Sequence, residues 1–255
     1  MNVRLTLEYD GTEYRGWQVQ PGGATIQGIL EDALAVLLKQ RVRVQGSGRT
    51  DAGVHALGQV ADFACPDGRD LARLQRSLNA LTPDDITVKS AEEAAPSFDA
   101  RRDATKRVYE YRLWNHPWRS VFNDRYSWHV ARPLRVDAMR EALAALEGEH
   151  DFSCFRAAGC GAATAVRRIY RNELYPWEDH WVYRIEATGY LRHMVRNIVG
   201  TLVQMGLGER GPGAFPALIR GRDRTLAGPT APARGLFLVE VSYGPSQSPR
   251  PDSAP

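Results

Sequence analysis

The stretch GSGRTDAGVHALGQVADF, residues 46–63, gathers residue types that can do chemistry. Asp51 stands between Gly48 and Gly53, and Arg49 precedes it by two positions. Glycines at such positions can adopt a positive φ, and they let another backbone segment approach closely. A nearby guanidinium can form a charge-assisted pair with a carboxylate. An aspartate in a glycine-rich turn usually only accepts hydrogen bonds from local amides. The pattern therefore leaves two hypotheses, a structural turn and a reactive carboxylate.

A reactive aspartate on its own restricts the chemistry. An ionised carboxylate acts as a general base or as a nucleophile, and as a nucleophile it suits a sugar anomeric carbon or an electron-poor pyrimidine ring. A hydrolytic glycosidase usually needs a second carboxylate as acid. The candidates for it have no comparable local context: Glu31, Asp32, Asp84 and Asp85. The sequence also contains no P-loop, zinc-protease, nucleophile-elbow or deaminase signature.

The composition is that of an ordinary globular protein. Of the 255 residues, 43% are hydrophobic and 25% are charged, and no run of about 18 apolar residues predicts a membrane-spanning helix. The start, MNVRLTLEYDG, reads as a strand and not as a signal peptide. Three irregularly spaced cysteines, at 65, 154 and 160, indicate neither a disulfide framework nor a zinc site. We therefore expect a reducing, cytoplasmic setting and no metal.

Arginine supplies nearly all of the positive charge. The formal net charge is +3, and lysine occurs only at Lys39, Lys89 and Lys106. Arginine offers phosphate a planar fork of donors and stacks on bases, which favours a nucleic-acid partner. A GC-rich genome that favours arginine codons explains the same bias equally well.

Hydrophobic spacing predicts the same order of elements in both halves of the chain. In the first half the predicted strands are 3–9, 41–44, 58–64 and 86–94, and the predicted helices are 25–39 and 69–81. In the second half the elements are a strand at 109–115, a helix at 135–147, a hairpin of 166–177 and 181–191, a helix at 192–206 and a strand at 236–244. Each half thus reads β-α-β-β-α-β, a ferredoxin-like order.

We therefore predict an α+β protein made of two ferredoxin-like halves, whose antiparallel or mixed sheets meet at a central catalytic cleft. The predicted domains are 1–104, which carries the aspartate loop, and 105–244. The repetition is one of pattern only, since the halves show no residue-level repeat. Proline and serine dominate residues 245–255, which predicts a disordered tail.

Several separated motifs point to one family. The segment GRTDAGVH, residues 48–55, resembles the active-site segment of the tRNA pseudouridine synthase A family. The resemblance covers residues 1 to about 243 in order, and is much more specific than a lone GRTD. The other similar segments are EYDGTEYRGWQVQP at 8–21, FDAR at 98–101, KRVYEY at 106–111, DFSCFR at 151–156, HMVRNIVG at 193–200, RDR at 222–224 and ARGL at 233–236.

The resemblance implies an enzyme that isomerises uridine to pseudouridine at positions 38–40 of the tRNA anticodon stem-loop. The base detaches from the ribose, turns over and reattaches through carbon. No net redox change occurs, so no cofactor is expected. The resemblance also implies a homodimer, with tRNA lying across both subunits.

The resemblance assigns residue roles as well. Asp51 matches the catalytic aspartate, which attacks C1′, promotes a glycal or attacks the pyrimidine ring; the sequence leaves these routes open. Tyr109 matches a tyrosine that stacks on the target uracil and helps to move the C5 proton. Arg196 matches an arginine that pairs with the aspartate, although a helical arginine often extends to the surface. Arg49 can pair similarly or replace the extruded base, and Leu236 or Leu238 can form the wall beneath the uracil.

A set of basic residues is expected to contact the RNA backbone, although such runs are usually solvated faces. They are Arg101, Arg102, Lys106, Arg107 and Arg168. Tyr109 and Leu236 have an ordinary reading as well, as core residues of strands. Two other functions stay open: a non-catalytic RNA-binding protein on the same scaffold, and a glycosylase in which Asp51 acts at C1′ and releases free uracil.

Overall fold

The computed structural model describes residues 1–211 and 213–244. The predicted tail at 245–255 lies outside the described residues. The described residues form two compact units: the first is 1–106 with 239–244, and the second is Arg107–Leu238. After the second unit the chain thus returns to the first at residues 239–244.

The first unit follows the predicted element order. Its elements are β1 (Asn2–Tyr9), α1 (Ile26–Leu38), β2 (Gln45–Gly46), β3 (His55–Ala64), α2 (Leu71–Leu81) and β4 (Ile86–Ala94). The strands lie in the order β4-β1-β3, all antiparallel, and the short β2 pairs with β3. This order places the β2–β3 connection, which contains Asp51, next to the end of β1.

Alternation and capping explain these elements. Val3, Leu5 and Leu7 of β1 are fully buried, as expected for the inner face of a strand with one buried side. Helix α1 begins where Thr25 accepts a hydrogen bond from the Gly28 N–H at 3.2 Å, so Thr25 is its N-cap. Helix α2 begins at 71, two residues later than predicted, because Asp70 is its N-cap.

The predicted strand at 41–44 is wrong. The backbone of Val44 bonds to side chains of α1 and not to a neighbouring strand: its N–H donates to Glu31 Oε1 at 3.0 Å, and its carbonyl accepts from Gln27 Nε2 at 3.0 Å. Because these side chains satisfy the backbone groups that a sheet would use, pairing starts only at β2.

The second unit adds elements to the same pattern. They are most of β5 (Ala104–Trp114), β6 (Trp128–His129), α3 (Val136–Leu143), β7 (Gly148–Asp151), β8 (Val166–Trp177), β9 (His180–Ala187), α4 (Met194–Gly206), α5 (Ala214–Gly221) and the start of β10 (Leu236–Tyr243). The strand order is β10-β5-β9-β8-β7. Since β6 runs parallel to β5 whereas β5, β9, β8 and β7 pair antiparallel, the sheet is mixed. The predicted α+β class is confirmed.

The hairpin of β8 and β9 turns at residues 178 and 179, as predicted. Glu178 takes φ +51°, and Trp177 pairs with His180 across the turn. The predicted helix at 135–147 ends at 143 and continues as a 3-10 turn at 144–146. Among the described residues, no helix combines the length and apolar character needed to cross a membrane.

Candidate active site

The loop of residues 47–54, called here the Asp51 loop, connects β2 to β3. Its last four residues form a tight turn, in which the Val54 N–H donates to the Asp51 carbonyl at 3.1 Å. Gly53 takes φ +76° in that turn, a conformation that favours glycine. The Asp51 side chain is half-buried, so the turn presents a carboxylate that is partly withdrawn from solvent.

Buried polar side chains from β1 and β3 fix the first half of this loop. Ser47 Oγ donates to Gln59 Oε1 at 2.8 Å, and Gln59 Nε2 donates to the Gly48 carbonyl at 2.9 Å. The hydroxyls of Tyr9 and Thr50 share a hydrogen bond of 2.8 Å. Burial raises the pKa of Tyr9 to about 12, so its hydroxyl stays protonated at physiological pH. A satisfied buried network of this kind holds a single backbone geometry.

The segment after β1 supports the other side of the Asp51 loop. Trp17 N–H donates to the Thr50 carbonyl at 3.0 Å. Gly16 has φ +84°, and a Cβ on it would lie 2.5 Å from the Thr50 carbonyl oxygen. A Cβ on Gly11 would lie 2.0 Å from the Val54 carbonyl oxygen. Both glycines are needed because backbone contacts backbone here. Their roles were missed in the sequence, although both stand in the EYDGTEYRGW motif.

His55 links the end of the Asp51 loop to the same segment. Its Nδ1 accepts from the Gly11 N–H at 3.1 Å and lies 3.0 Å from Asp10 Oδ1. The side chain is almost fully buried. These contacts favour a positioning role for His55.

Arg49 lies on the exposed part of the loop. Within residues 1–211 and 213–244 its guanidinium forms no ion pair, so the pair with Asp51 that the spacing suggested is not among its contacts. Its donors remain available to another acceptor.

Tyr109 lies on β5 in the second unit and is 8% exposed. Its ring meets the edge of Tyr190, with the centroids 5.0 Å apart and the planes at 84°. The Tyr190 hydroxyl bonds to the carbonyls of Ile185 and Arg107 at 2.9 and 3.1 Å. Burial raises the pKa of Tyr190 well above its usual value. A neutral, doubly anchored ring therefore fixes the position of Tyr109.

Arg196 lies on α4 and is bonded to the segment that follows the 3-10 turn at 224–226. Its Nε donates to the Ala231 carbonyl at 2.7 Å, and its own carbonyl accepts from the Ala231 N–H at 3.1 Å. The next residue, Asn197, is fully buried and accepts from Arg224 Nη2 at 2.9 Å and from Thr230 Oγ1 at 2.7 Å. These bonds orient the guanidinium of Arg196 from a rigid helix, which favours the predicted role over free extension into solvent.

Leu236 opens β10 and is 6% exposed. The preceding Gly235 lies so close to the Tyr111 ring that a Cβ there would be 2.7 Å from it. The Tyr111 hydroxyl donates to the Pro232 carbonyl at 2.8 Å. Leu236 is thus held in place by its neighbours, as either a core residue or an apolar wall would be.

The predicted RNA-contacting residues fall in two groups. Arg101 and Arg102 are exposed at a turn after β4, where both backbone N–H groups donate to Asp99 Oδ1 at 2.9 and 2.8 Å. Arg168 is exposed on β8, whereas Lys106 and Arg107 are half-buried on β5.

The structure places the predicted site residues in both units. Asp51 and Arg49 share the Asp51 loop of the first unit, and Tyr109, Arg196 and Leu236 belong to the second. Over the described ranges, no group of three or more histidine, cysteine, aspartate or glutamate side chains can hold a metal ion.

Comparison with known proteins decides the family. The family described as "tRNA pseudouridine synthase" matches residues 6–101 and 142–244. The chain belongs to this family. The tRNA pseudouridine synthase family is thus the one that the sequence motifs indicated, and that prediction is confirmed.

Individual relatives in the tRNA pseudouridine synthase family match nearly the whole chain. The chain is 47% identical over 242 residues to tRNA pseudouridine synthase A of Myxococcus xanthus, covering 94% of this chain and 91% of that protein. It is 46% identical over 241 residues to the protein of that name from Geobacter sulfurreducens, covering 94% and 99%. It is 43% identical over 242 residues to that of Geotalea daltonii, covering 95% and 99%.

The segments that match the tRNA pseudouridine synthase family contain some of the predicted site residues and not others. The first matched segment contains the Asp51 loop and both supporting glycines, and the second contains Arg196 and Leu236. Tyr109 lies between the matched segments, so its assignment depends on the KRVYEY motif around it.

Proposed function

We propose that this protein isomerises uridine to pseudouridine in tRNA, with Asp51 as the essential carboxylate. The observation that carries the proposal is the Asp51 loop. It is fixed from β1, from β3 and from the glycines at 11 and 16, and it holds one half-buried carboxylate. An enzyme that breaks and remakes a glycosidic bond needs such a fixed carboxylate, whereas a surface turn does not.

The proposed reaction balances without a cofactor. The bond between N1 of the uracil and C1′ of the ribose breaks and a bond between C5 and C1′ forms. The proton on C5 leaves and N1 takes up a proton, so the product is an isomer of the substrate. Asp51 acts as nucleophile at C1′, as the base that promotes a glycal, or as nucleophile on the ring. In each case a carboxylate is the reacting group.

The other site residues receive supporting roles in the proposal. Tyr109 stacks on the uracil and helps to move the C5 proton, and its fixed contact with Tyr190 supports the stacking role. Arg196 orients the carboxylate, Leu236 supplies an apolar wall, and Arg49 fills the place of the extruded base. A stem uridine must leave its stack at a cost of a few kcal/mol, which an inserted guanidinium partly offsets.

The wider features of the proposal come from the family resemblance. They are modification at positions 38–40 of the anticodon stem-loop, a homodimer, and a cytoplasmic location. We also propose that Arg101, Arg102, Lys106, Arg107 and Arg168 contact the phosphate backbone, because recognition of folded RNA relies on shape and backbone contacts.

Mapping of pseudouridine in tRNA transcripts tests this proposal. The protein is incubated with transcripts that carry uridine at position 38, 39 or 40, without added metal or nucleotide, and the product nucleosides are mapped. The proposal expects pseudouridine at these positions only, no product with Asp51→Asn, and unchanged turnover with the exposed control Asp32→Asn. Free uracil would indicate a glycosylase, and unchanged nucleosides with tight tRNA binding would indicate a binding protein.

A further inference from the structure

A glycine- and alanine-rich segment precedes β8 in the second unit. Residues 157–165 read AAGCGAATA, and no carboxylate occurs between Asp151 and Glu173. Apart from Cys160 and Thr164, this segment has no side chain larger than a methyl group. Gly159 takes φ +70°. The segment, called here the small-residue loop, therefore leaves its backbone accessible to a large ligand.

Three guanidiniums from different elements donate to carbonyls of this loop and its end. Arg156 Nη2 donates to the Cys160 carbonyl at 2.5 Å, and Arg192 Nη1 donates to the Ala158 carbonyl at 3.2 Å. Arg167 Nη1 donates to the carbonyls of residues 164 and 166 at 3.0 and 2.6 Å. Arg156 Nη2 also donates to the Ala162 carbonyl at 3.3 Å, and the Arg156 side chain bonds to the Cys160 thiol.

These three charges are not balanced by carboxylates. In the described part of the chain, none of the three arginines forms an ion pair, whereas Arg171 on the same strand pairs with Glu173 at 2.8 Å. Burial lowers the pKa of Arg167; the Cys160 side chain opposes this effect, and repulsion from Arg156 adds to it. Backbone carbonyls therefore hold three like charges together, an arrangement that an anionic ligand would stabilise.

We propose that Arg156, Arg167 and Arg192, held by the small-residue loop, form a binding site for a phosphodiester of the RNA substrate. The inference rests on the proposed function, because the RNA is the substrate named there. A guanidinium has five N–H donors in a fixed fork that fits phosphate. The N–H groups that do not bond to the loop are the donors that each guanidinium offers to phosphate oxygens. The neighbouring Arg168 is exposed and adds charge beside the site.

The salt dependence of tRNA binding tests the site. Dissociation constants are measured against KCl concentration for the natural protein and for Arg156→Gln, Arg167→Gln and Arg192→Gln. Loss of a phosphate contact should lower the slope of log affinity against log salt by about 1 and weaken binding about tenfold. Arg171→Gln is the matched control, since it removes one positive charge from the same strand where a glutamate neutralises it.

Thermal unfolding separates binding from folding. Arg192 is exposed and its side chain makes one bond to the loop. Arg192→Gln should therefore keep its melting temperature, and it carries the test if the other variants unfold early. Arg192→Lys should keep most of the slope of log affinity against log salt but should bind tRNA more weakly. Slopes equal to that of Arg171→Gln in a folded Arg192→Gln protein would overturn the inference.

Two further measurements show which proposal is wrong if the expected change in salt dependence is not found. If inorganic phosphate raises the melting temperature of the natural protein but not of the variants, and tRNA affinity is unchanged, the site binds a free anion and the RNA assignment is wrong. Isomerisation is measured in parallel. Normal pseudouridine formation with unchanged slopes refutes this inference alone, whereas altered slopes with no pseudouridine refute the proposed function alone.

Discussion

Replacing Gly16 with alanine tests whether backbone packing holds the Asp51 loop in its working position. The new Cβ would lie 2.5 Å from the Thr50 carbonyl oxygen, whereas ordinary van der Waals contact begins at 3.4 Å. The carbonyl would have to retreat by about 0.9 Å, the difference between these distances. This movement would also strain the bond from the Trp17 N–H to the same oxygen. A misplacement of about 1 Å typically lowers a rate about 100-fold.

Stability should fall as well. Alanine at positive φ costs about 1 kcal/mol, overpacking costs about 1–3 kcal/mol, and the loss of one hydrogen bond costs about 1 kcal/mol. Reduced entropy of the unfolded chain offsets about 0.5 kcal/mol. We expect a net loss of about 2.5–4.5 kcal/mol, which corresponds to a drop in melting temperature of roughly 5–18 °C for a chain of this size.

Gly68→Ala is the matched control for Gly16→Ala. Gly68 takes φ +75°, but nothing lies within 4 Å of a Cβ built on it. It therefore carries the conformational strain without the clash. Single-turnover pseudouridine formation and thermal unfolding are measured for both variants. If Gly16→Ala matched Gly68→Ala in rate and in melting temperature, the argument that Gly16 positions the Asp51 loop would be wrong.

Three further predictions concern stability. Burial lowers the pKa of His180 below its usual 6.5. The stability that its neutral form contributes is therefore present above that pH and is lost as the pH falls. Between pH 7 and pH 5, the free energy of urea unfolding should fall less for His180→Gln than for the natural protein. Asn197→Ala removes the Oδ1 acceptor of Arg224 and the Nδ2 donor to the Phe155 carbonyl at a fully buried position. It should lower the free energy of unfolding in urea by about 3 kcal/mol, and a loss below about 1 kcal/mol would contradict this. Tyr9→Phe leaves the buried Thr50 hydroxyl without its 2.8 Å partner. It should lower the free energy of unfolding by about 1–2 kcal/mol and slow pseudouridine formation. An unchanged rate would mean that this bond does not position the loop.

Much of the fold follows from periodic burial in the sequence. The helices α1 and α2 and the strands β1 and β4 can be predicted within about two residues, because their apolar positions repeat at helical or strand spacing. The hairpin of β8 and β9 follows from its long alternating strands and its polar turn. These elements depend on local sequence, so a single sequence reveals them.

The remaining features depend on contacts that spacing does not show. Residues 41–44 alternate like a strand, but the side chains of Gln27 and Glu31 bind the backbone of Val44. The short β6 and β7 have two and four residues, too few for a periodic signal. Helix α5 begins just after a Gly- and Pro-rich stretch and was not predicted.

The candidate site divides in the same way. The sequence alone singles out the Asp51 motif as a candidate, because a carboxylate, an arginine and glycines stand close together there, but this pattern also fits a structural turn. The roles of Gly11 and Gly16 could not, because they depend on the approach of the Asp51 loop to a distant segment. The three arginines around the small-residue loop are separated by up to 36 positions in sequence, from 156 to 192, and only the fold brings them to one loop.

Tritium release from tRNA labelled at C5 of uridine tests the central claim most directly, because reattachment of the base through C5 releases the C5 proton. The natural protein and Asp51→Asn are compared with no added metal or nucleotide, and tRNA binding is measured for both. We predict release by the natural protein and none by Asp51→Asn, which should still bind tRNA. Release by Asp51→Asn at the natural rate, or no release by the natural protein, would contradict the account.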